Sequence, residues 1–145
     1  MTVENNASVQ PYLFFDGKCD EALEFYKTAI GAKVDMMMRF NEAPPEMQSQ
    51  MSPGSKDKVM HAAFHIGDTQ ILASDGHCNG KPAFQGFSLS INAANDAEAD
   101  KLFAALGKGG KVTAPMSETF FASRFGMVAD KFGVNWMVMA EKKAA

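Results

Sequence analysis

Two cysteines, Cys19 and Cys78, in 145 residues are too few for a disulfide framework, which excludes the small secreted scaffolds held together by bridges. No apolar run approaches the roughly 18 residues that a membrane-spanning helix needs. The opening stretch, MTVENNASVQ, lacks the basic start and the apolar core of a secretion signal. A cytoplasmic protein with reduced thiols and no membrane contact is the expectation. Positive charge is in short supply too: 14 Lys and Arg stand against 17 Asp and Glu, for a formal net charge of -3. A nucleic-acid-binding surface normally shows clustered Lys and Arg, so no nucleic-acid partner is expected. Also missing is a Gly-rich turn between a buried strand and a helix, which a nucleotide-like cofactor uses. Gly107-Lys108-Gly109-Gly110 follows a helical pattern and reads as a cap and loop.

What is abundant is soft and apolar. There are 11 methionines and 12 phenylalanines, with Met36-Met37-Met38 and Met137-Val138-Met139 on segments that read as strands. Thioethers fill irregular cores, and they also repack around varied ligands. Both roles are open from the sequence.

In chain order, residues 1–8 are polar and loose. Residues 9–15 (VQPYLFF) suit a strand, with Pro11 at its start or on an edge. Residues 20–30 carry an apolar helical stripe, Leu23, Tyr26 and Ile30 beside Ala22, Phe25 and Ala29, and Gly31 is placed to end it. Residues 33–40 read as a second strand. Residues 41–58 hold Pro44, Pro45, Pro53 and Gly54, a long connection of the kind used as a lid. A hairpin over 59–74 turns at Gly67-Asp68. After a connector, residues 86–91 (GFSLSI) alternate as a strand, and Asn95 with Glu98 three on marks a helix start. Ala99, Leu102, Phe103 and Leu106 form its stripe, and Gly107 ends it. Residues 111–113 form a short strand. The second hairpin lies within 118–139 and turns at Asp130-Lys131-Phe132-Gly133.

The order therefore occurs twice. A shift of 77 lays Ala22, Phe25 and Tyr26 on Ala99, Leu102 and Phe103. A shift of 66 lays Gly67 on Gly133 and Ile71-Leu72 on Met137-Val138. The expected fold is α+β, two β-α-β-β-β modules forming a half-barrel sheet around a cavity. Its divisions are a flexible 1–8, a first module at 9–75, a connector at 76–85, a second module at 86–140 and a tail at 141–145. One helix can cover only one face of each module's strands, so the other faces must bury themselves on each other, on a second chain or around a ligand.

Pro11-Tyr12-Leu13, Glu21-Ala22 with Phe25-Tyr26, Ser74-Asp75, Glu118-Thr119-Phe120 and Asp130-Lys131-Phe132-Gly133-Val134 with Trp136 together resemble the vicinal oxygen chelate superfamily. This superfamily comprises glyoxalases, bleomycin-resistance proteins and extradiol dioxygenases. Within it, the chain is similar to the PhnB-like branch, often labelled demethylubiquinone methyltransferase. The resemblance implies a homodimer and a divalent metal held from the first strand of each module and the last. Those positions fall near Gln10, Ile71, Gly86 and Met137, none of them a His, Asp or Glu. Divalent-metal chemistry needs three or four oxygen or nitrogen donors, so no metal and no cofactor are expected.

Several residues could still carry chemistry. His61 and His65, four apart on a strand, point the same way but lie about 13 Å apart at ~3.3 Å per residue, too far to share one ion. The alternate face, Met60, Ala62, Phe64 and Ile66, is apolar and suits a helix. Asp75-Gly76-His77-Cys78 gathers a carboxylate, an imidazole and a thiol, though as a sequence it also reads as a polar turn. Glu118 precedes Phe120 and Phe121. It could act as a desolvated base, pair with Arg124 or cap a turn. If a cavity is used, its expected lining is Tyr12, Phe14, His61, Ser88, Glu118 and Met137. By strand alternation Trp136 faces away from Met137, towards a helix.

The expectation that follows is a metal-independent binder of a small, partly apolar molecule. The alternative is an enzyme, either with a relocated metal around His61 and Asp75 or with acid–base chemistry by His61 and Glu118. A methyltransferase finds less support. A dimer whose faces are filled by its own Phe and Met is the third reading.

Overall fold

The computed structural model describes residues 7–44, 57–76 and 83–142. Most of the expected lid lies outside these residues, as do His77, Cys78, the first six residues and the last three. The first module runs β1 (Tyr12–Phe14), α1 (Cys19–Ile30), β2 (Lys33–Arg39), β3 (Val59–Ile66) and β4 (Thr69–Ser74). The second repeats it as β5 (Leu89–Ala93), α2 (Asp96–Gly107), β6 (Lys111–Ser117), β7 (Ala122–Ala129) and β8 (Asn135–Glu141). Each module forms a four-stranded sheet, ordered β1-β4-β3-β2 and β5-β8-β7-β6. The first strand lies parallel to the last, and the other pairs are antiparallel. The α+β duplication expected from the sequence is thus the architecture.

Local signals account for most boundaries. Gly31 adopts φ 71°, the left-handed geometry that closes α1, with its N–H on the Tyr26 carbonyl. Asn95 caps α2, its Oδ1 accepting from the Glu98 N–H at 2.8 Å. Three strands differ from their sequence reading. β1 is shorter than 9–15. β5 starts later than 86, because Gly86 at φ 79° turns the chain before pairing begins. β6 runs on past Thr113 through Pro115 to Ser117, which it can do because it is an edge strand with register irregularities.

Both helices and the covered faces of both sheets enter one core. Leu13, Phe15, Tyr26 and Phe64 of the first module join Leu106, Val128, Trp136 and Val138 of the second, and α1 packs on α2. Tyr26 meets Trp136 edge-on at 5.6 Å, and Phe15 meets Phe132 at 5.9 Å. The module junction is pinned by Asp130, which is buried at the start of the second hairpin turn. Its Oδ2 accepts from the Tyr26 hydroxyl at 2.5 Å and Trp136 Nε1 at 2.9 Å; its Oδ1 accepts from the N–H groups of Phe132 and Val134. A buried carboxylate is tolerable only with such full hydrogen bonding.

Strand pairing corrects one register. Opposed residues share a face, so Leu72, opposite Ala63, is on the uncovered side while Ile71, opposite Phe64, faces the core. In β8 the reverse holds by number: Met137 is half-buried on the uncovered side and Val138 is buried. A shift of 66 therefore exchanges the faces, and a shift of 65, matching Leu72 to Met137, preserves them. The cause is unequal turns. β3 and β4 are separated by Gly67 and Asp68, whereas β7 and β8 are separated by residues 130–134, so the two glycines are not equivalent. A one-residue slip in a strand reverses every side chain.

Candidate functional site

Because the covered faces share one interior, the other faces of the two sheets are turned away from each other. The first carries Tyr12, Phe14, His61, Ala63 and Leu72, with Met38 opposite His61. Here β1 and β3 bring together three of the expected lining residues. The Tyr12 hydroxyl is 2.9 Å from His61 Nδ1, either donating or accepting according to the imidazole tautomer. The Tyr12 and Phe14 rings stack at 4.8 Å. Burial, with a smaller contribution from Cys19, raises the Tyr12 phenol above its ordinary value, so it is protonated at neutral pH. The arrangement offers an aromatic platform, a thioether and a polar pair on one surface. His65 has a separate partner, with Nδ1 2.7 Å from Asp35 Oδ1. Asp35 continues through Gln70 to Gln10 by side-chain hydrogen bonds of 3.3 and 2.7 Å.

The second uncovered face is built from β5, β7 and β8. Met137 lies opposite both Ser90 and Met127, and Met139 opposite Asn92 and Phe125. Met137 thus sits on a different surface from His61. Ser88 lines a crevice of about 580 Å³ at the junction of the modules and meets neither of them. Glu118 is exposed between β6 and β7, so the desolvation that a base would require is missing. Arg124 pairs with Asp100 at 3.3 Å and Asp96 at 3.7 Å on α2, so it is not the partner of Glu118. Phe120, 91% exposed, and Phe121 stand as an edge-to-face pair beside it.

The positions that hold metal in the related fold do not fit an ion. The Gln10 amide is bonded to Gln70, Ile71 faces the core, Gly86 has no side chain and Met137 is a thioether. At the alternative site around His61 and Asp75, the Asp75 carboxylate is already engaged by backbone N–H groups. Asp75 Oδ1 accepts from the N–H groups of Gly17 and Cys19 at 2.7 and 2.9 Å, and Oδ2 from that of Val59 at 3.0 Å. Among the described residues no three His, Cys, Asp or Glu side chains gather closely enough to hold a metal ion. Cys19 is buried, and burial above all, with Asp75 next, pushes its thiol far up, which removes it as a nucleophile.

The glycine-rich segment after α2 has a packing role. A Cβ on Gly110 would fall 2.1 Å from the Ala129 carbonyl oxygen and under 3 Å from the Asp130 backbone. This glycine lets the α2–β6 loop lie against the turn that holds Asp130.

Sequence reasoning missed the Tyr26–Asp130–Trp136 link and the bidentate pair of Arg39 with Asp20, at 2.8 and 2.9 Å. Asp130 read only as a turn residue, and Asp20 and Arg39 only as members of the helical stretch at 20–30 and the strand at 33–40. Neither partner was visible from spacing.

Residues 7–139 match the family described as 3-demethylubiquinone-9 3-methyltransferase. The chain is 33% identical over 141 residues to protein YjdN of Escherichia coli, covering 93% of this chain and 96% of that protein. Among solved structures, protein PA1353 from Pseudomonas aeruginosa superposes with a TM-score of 0.80 at 40% identity, covering 94% of this chain and all of the other. A Bacillus cereus PhnB protein, a putative 3-demethylubiquinone-9 3-methyltransferase by its own description, gives 0.77 at 24% identity over 92% of this chain and 99% of its own. A glyoxylase/bleomycin resistance protein/dioxygenase domain from Frankia shares the fold, with a TM-score of 0.61 at 16% identity over 99% and 96%. The chain belongs to the family described as 3-demethylubiquinone-9 3-methyltransferase.

Proposed function

We propose that this protein binds a small, partly apolar molecule without a metal, on the uncovered face that carries Tyr12, Phe14 and His61. The observation carrying the reading is the Tyr12–His61 hydrogen bond of 2.9 Å on a sheet face that, among the described residues, no helix covers. A half-apolar surface with one convergent polar pair is how small-molecule sites are built. The face is open, and a second copy of the chain closes it. The first module's face of one protomer then meets the second module's Met- and Phe-rich face of the other. The compartment that suits a chain with so few cysteines is the cytoplasm. Acid–base chemistry by His61 together with Glu118 has less support, since the two belong to different modules and Glu118 is exposed. Methyl transfer, the activity in the family's description, has no glycine-rich nucleotide turn to support it, because Gly110 serves packing.

A thermal-shift screen tests the reading. A small aromatic ligand at about 100 times its Kd stabilises by ~2.7 kcal/mol, which is several degrees in a chain of this size. That shift is expected to vanish in His61→Ala, with divalent metal ions giving none. Stabilisation by a metal ion and by no organic compound is the result that defeats it.

A further inference from the structure

The crevice at the module junction is separate from the Tyr12–His61 face, since Tyr12, Phe14 and His61 are not among its lining residues. Ile71 and Trp136, 3% and 2% exposed, form its floor. Ile30 at the end of α1, Leu102 of α2 and Leu89 of β5 supply apolar walls. Its volume of about 580 Å³ is within the range of small-molecule pockets.

Among the described residues one charged side chain lines this space, Glu98, and no Lys or Arg accompanies it. The acidic side chains of α2 are otherwise engaged. Arg124 reaches Asp96 and Asp100, and the Ser123 hydroxyl donates to Asp96. The Glu98 backbone N–H is held by Asn95, but its carboxylate has no ion-pair partner among the described residues. Glu98 lies in the first turn of α2, where a negative charge is favoured. A crevice with one apolar side, neutral polar residues and a single uncompensated anion selects a ligand of opposite design.

We propose that this crevice binds a small molecule with an apolar body and a protonated amine, the body over Ile71 and Trp136 and the ammonium against the Glu98 carboxylate. Such a ligand touches both modules at once and stiffens their junction.

Trp136 is the only tryptophan in the chain, so its emission, excited at the red edge of its absorption, reports occupancy directly. The full chain is titrated with 4-phenylbutylamine, 4-phenylbutanol and 4-phenylbutyrate. The amine is expected to give a saturable change with an affinity about tenfold above the alcohol's, a difference of ~1.4 kcal/mol, and the carboxylate none. Glu98→Gln should bring the amine to the level of the alcohol, and Glu98→Lys should transfer the preference to the carboxylate. Both variants change an exposed side chain and keep the fold. His61→Ala should leave all three titrations unchanged, so this site stands or falls apart from the Tyr12–His61 face. Equal titration by the three probes, or an amine affinity unmoved in Glu98→Gln, overturns the proposal.

Discussion

Asp130 is the residue on which the junction of the modules most depends. Its carboxylate takes the Tyr26 hydroxyl, the Trp136 indole N–H and two backbone N–H groups. Removing it strands four donors in a buried setting, whereas removing one donor leaves three bonds intact. Burial above all, with Asp130 beside it, drives the Tyr26 phenol far above its usual range, so it stays protonated and donates a hydrogen bond to Asp130. We expect Asp130→Ala to cost roughly 3–5 kcal/mol, and Tyr26→Phe about 1–3 kcal/mol, in urea unfolding followed by Trp136 emission. Equal, small losses in both would show that the carboxylate is not the centre of the network.

At the scale of elements, α1 is tied to the end of β2 by Arg39, which grips Asp20 with both terminal nitrogens. That hydrogen bonding holds the Asp20 carboxyl below its ordinary value. The folded value lies below the unfolded one, so the contribution is complete above the unfolded value, about 4, and is lost as pH falls through the folded value. The stability difference between the wild type and Asp20→Asn should therefore be present at neutral pH and disappear in strong acid. A constant difference across that titration would assign the effect to packing. The pair is about half exposed, and added salt should shrink the neutral-pH difference.

For the whole molecule, the consequence is two outward sheet faces with apolar side chains to cover, Met36 on β2 and Phe121 beside β7 among the exposed ones. If a second copy covers them, the protein sediments as a dimer, and Met137→Arg, a charge on the second uncovered face, shifts it towards monomer. A wild type that sediments as a monomer at micromolar concentration would leave the faces open and remove the closed site. The duplication, both helices and both hairpins were legible in the sequence because each rests on local rules. Gly31 ends a helix by its own φ, Asn95 caps by its own side chain, and the apolar spacing of Ala99, Leu102, Phe103 and Leu106 is helical wherever it packs. The candidate site was legible in part. Alternation put His61 opposite Phe64 in orientation and Trp136 opposite Met137, and both orientations hold in the structure.

What the sequence could not reach depends on separations of many residues. Of the six expected lining residues, Tyr12, Phe14 and His61 lie side by side, whereas Ser88, Glu118 and Met137 are distributed over other surfaces. The order of residues determined the modules, since propensity, capping and turn chemistry act over a few residues at a time. Only tertiary packing decided that the helix-covered faces meet through Tyr26, Asp130 and Trp136, because that choice turns on hydrogen bonds and buried area between segments about a hundred positions apart, which no local pattern encodes.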